Sequence, residues 1–300
     1  LHGRVTVWSL AAAVLCLAVI GYVVRLASTP VHRFGSAVTL KPGAFEENYT
    51  RRGKHTYHMN SFGFRGPEWS AAKPSGTIRG VVIGDSMVFG AGVDAEDTID
   101  AALGRWLRQA HAETTIEILN LGVPGTNLPG YVELYRAAVE RLRPDFVVIC
   151  LFLPNDLGEL EQPWEENRLG AYSFFHFLLG NNNNPYTFYA MRKSESRSDD
   201  SKLAFLTHYV DAMETIRRSS PSAPALFLFL YADSGSRWTD AIRARLGAGA
   251  AVVDHAPFPD IDFIPGDGHP MPDRNRQFAE IIGQAIDRSA NSPSYLGHSP

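Results

Sequence analysis

The chain has 300 residues, 45% of them apolar and 20% charged, enough for one large or two small globular domains. That composition excludes a collagen-like, a disordered or a disulfide-scaffold chain. Lys plus Arg total 28 against 32 for Asp plus Glu, a formal net charge of −4, so no basic excess points to nucleic acid.

Val5 to Val24 form twenty residues without a charge, bracketed by Arg4 and Arg25. Twenty helical residues span about 30 Å, the hydrocarbon thickness of a bilayer. The apolar core of a cleaved signal peptide is shorter, about 7–15 residues, and Leu26-Ala27-Ser28 is a poor cleavage site. Residues 1–27 are therefore expected to be a transmembrane anchor. Arg25, Arg33 and Lys41 follow the span and only Arg4 precedes it, so a plain positive-inside count puts the following domain inside. A single N-terminal anchor commonly acts as an export signal. The expected location is thus membrane-anchored, with the domain in the periplasm or outside the cell. Cys16 falls in the span and Cys150 in an apolar run, so no disulfide is expected.

Residues 28–77 are rich in Pro, Gly, Ser and charge and read as a linker and an irregular N-terminal extension. Within them, Asn60-Ser61-Phe62-Gly63-Phe64-Arg65-Gly66 reads as a glycine turn with packed aromatics, or else as a substrate wall. His55 and His58 read as exposed residues of this extension.

From residue 78 a rhythm begins. Strands are expected at Ile78–Ile83, Thr115–Leu121, Phe146–Leu153, Ala225–Tyr231 and Ala250–Val253. Helices are expected over 97–111, Tyr131–Leu142, Lys202–Arg218, Ala241–Leu246 and Arg274–Ile286. Strands apolar throughout, alternating with helices, predict a parallel sheet covered on both faces. The fold class is α/β, a three-layer α/β/α sandwich on a five-stranded parallel sheet over 78–290. Residues 157–200 interrupt the rhythm and read as an insertion or lid, and 291–300 as a C-terminal tail.

In an open parallel sheet, ligands bind beyond the carboxyl ends of the strands. There stand Gly84-Asp85-Ser86, then Asn120-Leu121-Gly122-Val123-Pro124-Gly125, then Leu153-Pro154-Asn155-Asp156, and finally Asp267-Gly268-His269-Pro270. Each piece alone is bland: a serine after a strand usually caps a helix, and an Asn-Asp pair usually makes a turn. Four such pieces in order at one sheet edge are more specific. No G-x-S-x-G elbow, phosphate loop or dinucleotide fingerprint competes with them. Asp260, Asp262, Asp267 and His269 match no metal-ligand spacing, and no metal or cofactor is expected.

Together these blocks resemble the SGNH (GDSL-type) hydrolase family over roughly residues 78–290. The resemblance implies a flavodoxin-like sheet. It also implies a catalytic Ser86, a general base His269, and Asp267 as the carboxylate that orients it, with Asp262 in reserve. The implied oxyanion donors are the Ser86 and Gly125 backbone N–H groups and the Asn155 side-chain amide, with Gly122 as the lesser alternative to Gly125. The chain departs from the family pattern at Leu153, where a glycine is usual, and in having Asp267 two residues before His269 rather than three. The implied activity is a serine esterase acting on O-acyl esters, acetyl on a cell-envelope glycan being the expected case. An O-acyltransferase on the same triad, or a non-catalytic binding protein that keeps the fold, are the alternatives. The expected partners are a small acyl ester or acylated glycan and the membrane; the oligomeric state is not legible.

Overall fold

The computed structural model describes residues 8–10, 12–20, 32–49, 53–157, 198–231, 235–254, 264 and 268–289. Its centre is a five-stranded sheet made of β5 (Thr77–Gly84), β6 (Thr115–Gly122), β7 (Phe146–Phe152), β8 (Ala225–Tyr231) and β9 (Ala250–Asp254). The order is β6-β5-β7-β8-β9 and every pairing is parallel. The order reverses at β5, so β5 and its two neighbours frame the crevice where a ligand site belongs.

The strands are apolar on both faces because both are covered. In β7, Val147, Ile149 and Leu151 enter one core, and Phe146, Val148 and Cys150 enter the other. The first core is closed by α3 (Leu128–Leu142), α5 (Asp199–Ser219) and α6 (Gly235–Arg243). The second is closed by α1 (Ser86–Phe89), α2 (Ile99–Ala110) and α7 (Pro272–Arg288). Ile99, Leu103 and Leu107 recur every four residues along α2 and are all buried, so one helical stripe meets the sheet. Burying each such side chain stabilises the fold by roughly 1.5–3 kcal/mol. Gly283 of α7 lets that helix approach α2, since a Cβ there would lie 2.3 Å from the Trp106 ring.

The five expected strands are all present, and the sheet has the expected composition and direction. The extension differs from its irregular reading. It forms two antiparallel hairpins, β1 (His32–Phe34) with β2 (Ala37–Thr39), and β3 (Gly43–Tyr49) with β4 (Gly53–Met59). Short strands with charged and polar residues on one side lack the apolar runs that identify core strands. His55 is not exposed as expected: it stacks on Tyr57 and its Nδ1 lies 3.2 Å from Asp94 Oδ1. His58 is exposed.

Residues 8–10 and 12–20 are helical, with Trp8, Leu10 and Leu17 exposed. Among the described residues no helix is long and apolar enough to cross a membrane. The rest of the expected span, the 157–200 insertion apart from its first residue and its last three, and the 291–300 tail lie outside the described residues.

Candidate active site

Strand β5 delivers Gly84 and Asp85 to the sheet edge, and Ser86 opens the one-turn helix α1. Asp85 is the N-cap: its carboxylate accepts the Met87 N–H at 2.9 Å. This satisfies one of the donors that a helix start leaves open. Gly90 ends the turn in the left-handed region at φ 81°. Gly84 has no room for a side chain, because a Cβ would meet Val88 at 2.4 Å. Ser86 is half-buried between fully buried neighbours.

His269 arrives from the loop before α7, 183 positions later, and its Nε2 lies 2.7 Å from Ser86 Oγ. The loop is closed by two backbone bonds: the Ile264 N–H donates to the His269 carbonyl at 2.7 Å, and the Gly268 N–H donates to the Ile264 carbonyl at 3.1 Å. Gly268 has φ 88°, a conformation that glycine adopts without strain. With its proton on Nδ1, the imidazole can accept the Ser86 hydroxyl hydrogen at Nε2. Asp267 and Asp262 lie outside the described residues.

After β6 the chain turns through Gly122 and Gly125, which have different environments. A Cβ on Gly122 would lie 2.2 Å from the Phe89 backbone nitrogen, so this glycine allows β6 to pack against α1. Gly125 is exposed and left-handed, with φ 76°. Asn120 ties the two blocks together. Its Nδ2 donates to the Val88 carbonyl at 2.8 Å and to Asp100 Oδ1 at 2.6 Å, and its Oδ1 accepts the Gly122 N–H at 2.8 Å. Burial raises the Asp100 carboxyl above its ordinary value, although bonds from Thr98 and Asn120 oppose the shift.

The third block forms α4 (Leu153–Asp156), which carries Asn155 in its backbone. Asp156 secures it: its carboxylate accepts from the Tyr131 hydroxyl at 2.8 Å and from the Phe152 N–H at 2.7 Å. The Asn155 side chain is outside the described atoms. Among the described residues no group of three His, Cys, Asp or Glu side chains gathers as a metal site; Asp260, Asp262 and Asp267 lie outside them.

A family profile described as "GDSL-like Lipase/Acylhydrolase family" matches residues 82–293. The chain belongs to the GDSL-like lipase/acylhydrolase family. It is accordingly an ester-hydrolysing enzyme, and the non-catalytic alternative loses its ground. Similar solved structures include a family 3 carbohydrate esterase of Clostridium thermocellum, at 18% identity and TM-score 0.44, covering 74% of this chain and 100% of that one. Another is a two-domain esterase active on acetylated mannans, at 14% identity and TM-score 0.43, covering 75% of this chain and 52% of that one. A third is a family two carbohydrate esterase of Cellvibrio japonicus, at 13% identity and TM-score 0.42, covering 70% and 61%. No curated protein matches the chain.

Sequence reasoning singled out Ser86 and His269, which the structure brings together, but passed over the groups that hold the Ser86 turn. Arg65 is one: its guanidinium is buried and bonds the carbonyls of Phe89, Gly90 and Val93. Burial pulls this guanidinium below its ordinary value, against the opposing effects of Tyr57 and Asp100. The signal available in the sequence was an arginine placed between the glycines of a tight aromatic turn.

Proposed function

We propose that this GDSL-like enzyme is a serine esterase in which Ser86 is the nucleophile and His269 the general base. The observation carrying the reading is the 2.7 Å contact between Ser86 Oγ and His269 Nε2 at the crevice of the sheet. A serine hydroxyl is a weak nucleophile until an adjacent base takes its proton. His269 Nε2 removes that proton as Oγ bonds to the ester carbonyl carbon. Negative charge then develops on the carbonyl oxygen, where the N–H groups of Ser86 and Gly125 and the amide of Asn155 are its proposed donors. Ser86 is the first residue of α1, so no carbonyl of a preceding turn competes for its N–H. The imidazolium protonates the departing alcohol as the C–O bond breaks. Water, deprotonated by His269, releases the acid from acyl-Ser86 in the second half. Asp267, with Asp262 in reserve, is the carboxylate assigned to hold the imidazole tautomer.

The finer reading is an O-acetyl ester on a cell-envelope glycan, hydrolysed by a domain that residues 1–27 tether to the outer side of a membrane. Uncharged Val5–Val24 supports the tether, and a tethered domain on that side meets acylated glycans. The test is hydrolysis of short- and long-chain acyl esters and acetylated sugars beside Ser86→Ala. The expected result is release of free acid, fastest from acetylated glycan, and a fall of about 10⁴-fold or more in Ser86→Ala. Wild-type turnover by Ser86→Ala sinks the mechanism. Preference for long acyl chains sinks the glycan assignment alone.

A further inference from the structure

We infer that Arg65 is a positioning residue for ester hydrolysis, holding the one-turn helix that carries Ser86 from its far end. The inference rests on Ser86 being the nucleophile, as proposed above.

Helix α1 has four residues, too few to be stable alone, because a first turn fixes several residues for one hydrogen bond. Its own bonds satisfy little. The Gly90 and Ala91 N–H groups both converge on the Ser86 carbonyl, at 3.1 and 3.0 Å. Of the carbonyls at the helix end and in the loop beyond it, that of Gly90 accepts the Val93 N–H at 3.3 Å. Arg65 gathers three of them: Nη1 donates to Phe89 O at 3.1 Å and Gly90 O at 2.5 Å, and Nη2 donates to Val93 O at 2.8 Å. The guanidinium carbon lies 4.7 Å from the Tyr57 ring centroid and 5.5 Å from that of Phe89. The two rings pack on each other, with centroids 5.0 Å apart, and the planar fork lies against the pair in a way a lysine ammonium cannot reproduce.

The fork is itself fixed from the other side. Asn60 Oδ1 accepts the N–H groups of Phe62 and Phe64, at 3.0 and 3.1 Å, and Arg65 bridges to Met59. The Gly66 N–H donates to the His58 carbonyl at 3.0 Å. Tyr57 adds a second hold, its hydroxyl oxygen accepting the Gly92 N–H at 2.9 Å. Asn120 takes the Val88 carbonyl from the opposite flank. The carbonyls of Val88, Phe89, Gly90 and Val93 are thereby pinned by side chains from elsewhere in the chain. What this leaves at the other end of the turn is the Ser86 hydroxyl, 2.7 Å from an imidazole. A tilt of a four-residue helix moves its first residue almost as far as its last. Losing the fork therefore disturbs the approach of Oγ to a carbonyl, while substrate contacts made elsewhere persist.

The test compares wild type, Arg65→Lys, Arg65→Gln and Ser86→Ala in the full chain, on one acyl ester and with a fluorophosphonate, with thermal melting alongside. Arg65→Lys keeps the charge and most of the volume, so it is the variant read if Arg65→Gln does not melt cooperatively. The expected result in a cooperatively melting variant is a kcat lowered about 10–100-fold, with KM within about twofold, as for a reacting group displaced by a fraction of an ångström. Fluorophosphonate labelling of Ser86 slows by the same factor, because it reports the nucleophile without the ester. A folded Arg65→Lys with wild-type kcat and labelling rate overturns the inference, as does a change confined to KM or to melting temperature. Ser86→Ala separates the two claims. Retained hydrolysis there removes the nucleophile assignment, whereas an inactive Ser86→Ala beside a fully active Arg65→Lys removes only the role of Arg65.

Discussion

At the residue scale, the site depends on buried polar side chains such as Asn120, Asp156 and Arg65 that bond to the backbone around it. Asn120 joins the Val88 carbonyl, the Gly122 N–H and Asp100 through one amide. Asn120→Ala leaves a buried carbonyl and a buried N–H unpaired, which costs about 1–3 kcal/mol each before relaxation. The expected outcome is a lower urea midpoint together with a reduced kcat. Far from the site, Glu214 accepts from Arg217 Nε at 2.8 Å, from Arg218 Nε at 2.6 Å and from the Gly247 N–H at 3.1 Å. Burial pushes its carboxyl up, but the arginine bonds outweigh that and hold it below the usual carboxylate range. A depressed folded-state value gives stability that is present above the unfolded value, about 4.3, and is lost as pH falls through the folded one. Glu214→Gln is therefore expected to lower unfolding free energy by about 2 kcal/mol at pH 7. The gap should narrow steadily as urea titrations are repeated below about pH 4.

At the element scale, close approach is set by glycines. Gly122→Ala places a Cβ 2.2 Å from the Phe89 nitrogen, a backbone atom that cannot swing aside. Gly283→Ala meets the Trp106 ring at 2.3 Å. Both are expected to destabilise by about 1–3 kcal/mol in chemical unfolding. Only Gly122→Ala should also reduce turnover per folded molecule, since it alone abuts α1. The elements themselves were legible to different degrees. Strands such as Phe146–Phe152 are apolar at every position because helices cover both faces, and that signal survives in a single sequence. Helix α6 was expected at 241–246 and runs Gly235–Arg243, because Gly235-Ser236-Arg237 offers no apolar residue to mark its start. Hairpins β1–β2 and β3–β4 were missed because only a few of their residues, among them Phe34, Ala37, Tyr57 and Met59, reach a core. Ser86 and His269 were singled out because four blocks stand in order where the strands end, and the structure brings these two within 2.7 Å. Arg65, Asp100 and Asp156 were not, since their importance comes from tertiary partners that no spacing reveals.

At the scale of the whole molecule, the extension and the α/β body are one unit. Tyr57 and Met59 from β4 form a small core with Phe89 and Ala91 beside the Ser86 turn. A chain shortened to begin at residue 31 is expected to melt as before and to keep its turnover per molecule; the tether proposed above further requires that the full chain sediment with membranes and the shortened one not. A chain shortened to begin at residue 67 removes that core and Arg65, and is expected to lose both cooperative melting and hydrolysis. The long separation between Ser86 and His269 along the chain has a further consequence. The imidazole is translated 183 residues after the hydroxyl. A nascent or prematurely terminated product that stops short of residue 269 therefore carries Ser86 without the imidazole it contacts.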